Sequence, residues 1–176
     1  GRLTAAAAVA ACNAIEQCRC ESPAIKWVND VFVRDKKVCG ILTEANMNYE
    51  TGYPDYIVTG IGFNVYEPDT GFPEEIRDIA GAISDKREKD LRSSLPAVFI
   101  KDFYRLCRNL NDKTLYEEYK KRCFILGKRI TVLNGKESKG ASAIDLREDF
   151  ALVVRYDDGS EEALKAGEVS IRPISI

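Results

Sequence analysis

Residues 25–44 constrain the fold of this chain most strongly. They form two apolar, β-branched runs separated by the charged break Arg34-Asp35-Lys36, which is the pattern of an antiparallel β-hairpin. Asn29 and Asp30 interrupt the first run with polar side chains. Gly40 lies inside the second run, where glycine weakens a strand unless a ligand or another backbone approaches closely. The hairpin therefore predicts a sheet and a place where something binds against it.

The composition excludes several classes of protein. A chain of 176 residues can bury one core, or one core and a small satellite domain. Its net charge of -2 offers no broad basic surface for nucleic acid. No apolar run reaches the length of about 20 residues that a membrane span needs, and the pattern of a signal peptide does not occur. We therefore expect a cytoplasmic protein in which this segment contacts neither membrane nor nucleic acid.

The six cysteines do not indicate a metal or disulfide site, because no two have Cys-x-x-Cys spacing and the chain has no histidine. They are expected to be reduced and mostly buried. Without histidine, any proton transfer near neutral pH must use a carboxylate, a lysine or the substrate itself.

Periodicity divides the chain near residue 123. Small residues at helical spacing predict a helix over residues 3–20, packed closely on a sheet. Further patterns predict a loop over 46–55, a strand over 56–65, and helices over 73–83, 95–110 and 115–123. From residue 124 the chain changes to short strands with Asn-Gly and Asp-Gly turns, which predict a small β-barrel over 124–176.

Two sequence blocks resemble a known family. Lys26-Trp27-Val28-Asn29-Asp30 is followed, at the expected spacing, by Lys37-Val38-Cys39-Gly40-Ile41-Leu42, and this order resembles the signature of the biotin protein ligases. Residues 58–65 contain Gly60-Ile61-Gly62-Phe63-Asn64, which is similar to the family's Gly-x-Gly-Ile-Asn strand. The resemblance implies an α+β fold: a mostly antiparallel, class II synthetase-like biotin/lipoate ligase core over residues 1–123, followed by an SH3-like barrel.

The resemblance also implies a two-step reaction. Biotin and ATP form biotinyl-5'-AMP with Mg²⁺, and a lysine of a biotin carboxyl carrier domain then takes the biotin. Both steps move negative charge onto phosphate oxygens, so a positioned cation is needed where they converge. Lys37 occupies the family's position for that cation. Without the motif around it, the same residue would be interpreted as an ordinary exposed lysine of a hairpin.

The remaining expected site residues flank Lys37. Asp30 is expected to be catalytic, either by holding Mg²⁺ or by orienting the carrier lysine. Residues implied to bind nucleotide or biotin beside Lys37 are Asn29, Gly40, Gly60, Gly62, Asn64 and Arg172.

The sequence departs from the family in two places. Val28 stands where the family has proline, and the family's Gly-Arg-Gly-x-x-Gly-Arg loop does not occur. We therefore expect little ligase activity from this chain alone, and an open sheet edge that favours a homodimer. The alternatives are a lipoate-protein ligase, a biotin-responsive repressor/ligase whose DNA-binding part lies elsewhere, and a non-enzymatic interaction module built on the barrel.

Overall fold

The structure is a computed structural model that describes residues 1–19, 21–87, 90–134, 137–165 and 168–170. The elements in these residues are, in chain order, α1 (Arg2–Arg19), β1 (Ala24–Lys26), β2 (Asp30–Val33), β3 (Lys36–Met47), β4 (Pro54–Phe63), α2 (Leu91–Cys107), α3 (Lys113–Arg122), β5 (Arg129–Asn134), β6 (Glu137–Leu146), β7 (Leu152–Tyr156), β8 (Glu161–Leu164) and β9 (Glu168–Ser170). The α+β class predicted from the sequence is confirmed.

The first sheet has one covered face and one open face. Its strands run in the order β1-β2-β3-β4, and each neighbouring pair is antiparallel. The alanine-rich α1 packs on one face, where Cys39 and Ile41 are buried and the Thr4 hydroxyl donates to Thr43 Oγ1 at 3.0 Å. On the other face Leu42 is 62% exposed and Val58 is 56% exposed. The open face is therefore where a ligand can approach.

Helices α2 and α3 pack against α1, which lies on the covered face of the first sheet. Leu95 and Phe99 of α2 are buried in the common core. This helix begins at Leu91 and ends at Cys107, whereas the sequence predicted residues 95–110. Its first turn forms ahead of Pro96 because Leu91 is also buried there. Helix α3 begins at Lys113, two residues before the predicted start, since the side chain of Asp112 accepts a hydrogen bond from the Thr114 amide at 2.9 Å.

The C-terminal residues form a second, five-stranded antiparallel sheet in the order β8-β7-β6-β5-β9. This arrangement agrees with the small β-barrel predicted from the short strands and with the SH3-like tail that the resemblance implies. The second sheet is attached to the first near β1, where the Trp27 indole donates to the Phe150 carbonyl at 2.9 Å. The Phe32 and Phe124 rings add a contact with centroids 5.4 Å apart. The two sheets therefore share one core.

The prediction of a helix over residues 73–83 is wrong. Residues 74–79 form turns, with the Ala80 amide donating to the Ile76 carbonyl at 2.7 Å, and the chain then runs beside β3. Ile76 and Ile79 are exposed, so a helix here would have had little apolar surface to bury.

The predicted loop over 46–55 is shorter than expected, because β3 extends to Met47 and β4 begins at Pro54. The Asn48 side chain closes the turn by accepting from the amides of Glu50 and Thr51 at 2.9 and 3.1 Å.

None of the helices in the described residues has the length and apolar character needed to cross a bilayer.

Candidate active site

The centre of the candidate site is an ion pair on the open face of the first sheet. Lys37 Nζ lies 2.6 Å from Asp30 Oδ1, with the two side chains 38% and 17% exposed. Arg34 and Asp35 both have positive φ, of 51° and 59°, and form the tight turn that folds β3 back on β2. The hairpin predicted from the sequence thus brings the two predicted catalytic residues into direct contact.

Glycines surround this ion pair. Asp30 is paired with Gly40 across β2 and β3, and Gly40 is paired with Gly62 across β3 and β4, so the three positions face the same side. A Cβ added at Gly40 would lie 3.5 Å from Lys37 Nζ and 3.9 Å from Asp30 Oδ1. A Cβ at Gly62 would meet no described atom within 4 Å. The ion pair therefore lies over one glycine, with free space over the next.

The free space continues along the strand. Gly60 is two residues from Gly62 and therefore faces the same side, opposite Leu42. The nearest described atom to a Cβ at Gly60 is the Leu42 carbonyl oxygen, at 3.8 Å. Gly62 and Gly60 thus form a flat strip beside the charged pair, with the exposed Leu42 side chain next to it. A ligand with an anionic group and an apolar or planar part fits this surface.

The two predicted asparagines hold the strand that carries Lys37. The Asn29 side-chain amide donates to the Ile41 carbonyl at 2.6 Å, and the Ile41 amide donates to the Asn29 carbonyl at 3.0 Å. The Asn64 side-chain amide donates to the Lys37 carbonyl at 3.4 Å, and its main-chain amide donates to Val38. Both residues therefore act on the β3 backbone here, and their contact with a nucleotide stays a prediction.

Sequence reasoning missed Tyr119, which anchors the turn before Asp30. Its hydroxyl donates to the Val28 carbonyl at 2.9 Å, and its ring packs against Phe150 at a centroid distance of 5.3 Å. Burial raises the pKa of Tyr119 well above its ordinary value, so the hydroxyl stays protonated and donates. The signal in the sequence was the spacing of Leu115 and Tyr119, four residues apart on a helix whose other residues are mostly polar.

Residues 79–84 also make contacts that the sequence does not indicate, because its pattern predicts a helix over 73–83, which includes all of them except Ser84. The Lys37 amide donates to the Ile79 carbonyl at 2.7 Å, and the Lys37 carbonyl accepts from the Gly81 amide at 2.9 Å. The amide and the carbonyl of the catalytic candidate are therefore both bonded to this segment.

Two predictions are not decided by this geometry. Arg172 lies outside the described residues. In the part of the chain that the structure describes, no group of three or more cysteine or carboxylate side chains is placed to hold a metal ion. The assignment of Mg²⁺ to Asp30 therefore stays a prediction.

Comparison with known proteins gives matches in sequence and in structure. No protein-family model matches the chain. Over 83 residues it is 41% identical to the bifunctional ligase/repressor BirA of Bacillus subtilis, which amounts to 47% of this chain and 25% of that protein. BirA of Bacillus spizizenii matches with the same identity and coverage. The aligned region thus spans a quarter of the length of these relatives.

Solved structures match over almost the whole chain. The biotin protein ligase of Aquifex aeolicus superimposes with a TM-score of 0.78 at 24% identity, covering 97% of this chain and 74% of that one. The same ligase in complex with biotin and ATP gives a TM-score of 0.73 at 22% identity, covering 97% and 71%. The Leishmania major ligase in complex with biotinyl-5-AMP gives 0.52 at 21% identity, covering 93% and 70%. The resemblance predicted from the sequence is confirmed, and the chain has the fold of the biotin protein ligases.

Proposed function

We propose that the protein containing this chain is a biotin protein ligase, which activates biotin with ATP and transfers it to a lysine of a biotin carboxyl carrier domain. The observation that carries the proposal is the Lys37–Asp30 pair at 2.6 Å, placed over Gly40 and beside the free strip at Gly62. The biotin and ATP bound to the Aquifex ligase and the ligase description of the Bacillus relatives support the same choice.

In the first step a biotin carboxylate oxygen bonds to the α-phosphorus of ATP, and the bond to pyrophosphate breaks. In the second step the carrier lysine nitrogen bonds to the acyl carbon, AMP leaves, and the nitrogen loses a proton. The same phosphoryl oxygens gain charge in both steps. The Lys37 ammonium, held at the edge of the glycine strip, is the group in this site that suits that charge.

Asp30 has three functions in this proposal. It fixes the position of the Lys37 ammonium, and as the carboxylate nearest to that ammonium it accepts a hydrogen bond from the incoming amine. It also offers one carboxylate to a metal ion. Mg²⁺ is typically held by one or two carboxylates together with substrate phosphates, so we propose that it enters with the nucleotide.

The shape of the glycine strip fits the proposed substrate. Over Gly62 and Gly60 a bound group can approach the strand backbone without meeting a side chain. Biotinyl-5'-AMP carries an apolar valeryl chain, a phosphate and a flat base, which matches a smooth strip beside a cation. Arg172 remains a proposed nucleotide contact.

We also propose that residues 1–123 form the catalytic part and 124–176 the SH3-like part, that the carrier domain docks on the open face, and that the free edge of β4 allows a homodimer. The five described cysteines form no disulfide with one another, and we propose a reducing, cytoplasmic setting for the enzyme.

The test is transfer of labelled biotin to a carrier domain by the protein expressed from its complete reading frame, with lipoate as competitor. The proposal predicts ATP-dependent transfer that excess biotin suppresses and excess lipoate does not. Suppression by lipoate would instead identify a lipoate ligase, and absence of transfer would refute the proposal.

A further inference from the structure

We propose that residues 79–84 form a brace that positions Lys37, and that Gly81 is a positioning residue of the site. The inference rests on the proposed function for its catalytic consequence, but the brace itself is a structural claim that can be tested separately.

The brace is bonded to both strands of the site. At one end it bonds to both the amide and the carbonyl of Lys37, through Ile79 and Gly81, and runs parallel to β3 at that point. At the other end the Ile83 amide donates to the Asn64 carbonyl at 2.8 Å. The Ser84 amide donates to the Val65 carbonyl at 3.0 Å. Ile83 and Ser84 are buried, with 0% and 1% of their surfaces exposed. The brace therefore joins β3, which contains Lys37, to the residues that directly follow β4, which contains Gly60 and Gly62.

Gly81 is required by the closeness of this contact. A Cβ added at Gly81 would lie 2.4 Å from Lys36 Cβ and 3.1 Å from Lys36 Cγ. Lys36 Cβ belongs to a strand rather than to the free end of a flexible side chain, so it cannot move away alone. Lys36 Nζ also donates to the Asp78 carbonyl at 2.8 Å, which holds its side chain toward the segment leading into the brace. Any side chain at position 81 must therefore push the brace away from β3.

A displacement of the brace from β3 reaches the reacting centre through the backbone of Lys37. Ordinary contact would require a shift of about 1 Å between the brace and β3, and Lys37 is the next residue after Lys36. The Lys37 ammonium is held 2.6 Å from Asp30, so a movement of its backbone by this amount breaks or lengthens the ion pair. A misplacement of about 1 Å in a catalytic group can cost about 100-fold in rate.

The experiment compares Gly81→Ala with the double variant Gly81→Ala/Lys36→Gly, in which the clashing Cβ is removed. Biotinyl-adenylate formation is measured in the intact protein. We expect Gly81→Ala to lower kcat by about 10- to 100-fold with little change in KM for ATP, and the double variant to recover most of that loss.

The matched control is Gly140→Ala in β6. A Cβ there would lie 2.6 Å from Asp157 Oδ2, the free end of a side chain, so the same chemical change should be accommodated with kcat unchanged. Unchanged kcat in Gly81→Ala, or failure of Lys36→Gly to restore it, would overturn the positioning function.

Hydrogen exchange tests the brace without any activity, in the wild-type chain of 176 residues. The brace predicts that the Lys37 amide exchanges about as slowly as the Ile41 amide in the middle of the sheet. Rapid exchange at Lys37 would overturn the brace even if Gly81→Ala failed to fold. Slow exchange at Lys37, together with absence of biotin transfer by the protein expressed from its complete reading frame, would support the brace and refute the proposed function.

Discussion

Replacing Lys37 with glutamine removes the charge at the centre of the site while keeping a side chain of similar length. Lys37 Nζ contacts one carboxylate oxygen at 2.6 Å and its side chain is 38% exposed, so the variant leaves no cavity. Its effect should therefore be electrostatic rather than structural.

The expected magnitude follows from the exposure of the pair. Loss of one preorganised donor to developing negative charge costs about 2.7–4 kcal/mol, or about 100- to 1000-fold in kcat. Lys37 is 38% exposed, and solvent screening places its effect at the lower end, near 100-fold. The free energy of unfolding should change by less than about 1 kcal/mol, because a partly exposed ion pair contributes little to stability.

The assay is the single-turnover rate of biotinyl-adenylate formation, with the midpoint of urea unfolding measured on the same samples. Lys120→Gln is the matched control. Lys120 is also 38% exposed and lies 2.7 Å from a carboxylate, that of Asp145, but outside the open face. Both variants should have similar stability, and Lys120→Gln should keep the wild-type rate. Equal rates for both variants would refute the reasoning.

Three further outcomes follow from the structure. Tyr119→Phe leaves the half-buried Val28 carbonyl without its donor, so it should lower the free energy of unfolding by about 1 kcal/mol and also lower kcat, because the turn before the catalytic carboxylate loosens. Gly62→Val should fold as well as the wild type, since valine favours strands, but should weaken biotinyl-adenylate binding by tenfold or more, as titration calorimetry would show. Burial raises the pKa of Cys12 to about 12 and that of Cys123 to about 11, so at pH 8 less than about 1% of either thiol is ionised, and both should react with a thiol reagent only after unfolding.

Each of these outcomes has its own control. Tyr116→Phe removes a comparable hydroxyl bond, to the Leu146 carbonyl at 2.8 Å, and should lower stability without lowering kcat. Gly62→Ala should weaken binding less than Gly62→Val, because its side chain is smaller. The half-buried Cys18 should react in the folded protein. A large loss of rate in Tyr116→Phe, or equal binding by both Gly62 variants, would contradict the corresponding argument.

The sequence predicted the parts of the site that depend on local pattern. The two runs around a charged turn were enough to place Lys37 and Asp30 on facing strands. The register shift between Val31 and Phe32, which brings Asp30 opposite Gly40, was not predicted. Asp112, which caps α3, is also a local signal, whereas the length of the β3–β4 hairpin was not predicted.

The parts that were missed depend on contacts between distant residues. The wrong prediction of a helix over 73–83 relied on Pro73 and Glu74-Glu75, which favour a helix start, although the segment lacks an apolar stripe. The competing structure is stabilised by bonds to Lys37 and Asn64, which are far away in sequence. Tyr119 likewise shows its function only when the turn at Val28 is folded against it. Local propensity contains neither kind of information.

The most direct test of the central claim is a crystal structure of the intact protein with a non-hydrolysable analogue of biotinyl-5'-AMP. The account predicts that the group replacing the phosphate lies within about 3 Å of Lys37 Nζ, with the ligand extending over Gly62 and Gly60. Binding of the analogue elsewhere, with the Lys37–Asp30 pair unchanged and the glycine strip empty, would contradict it.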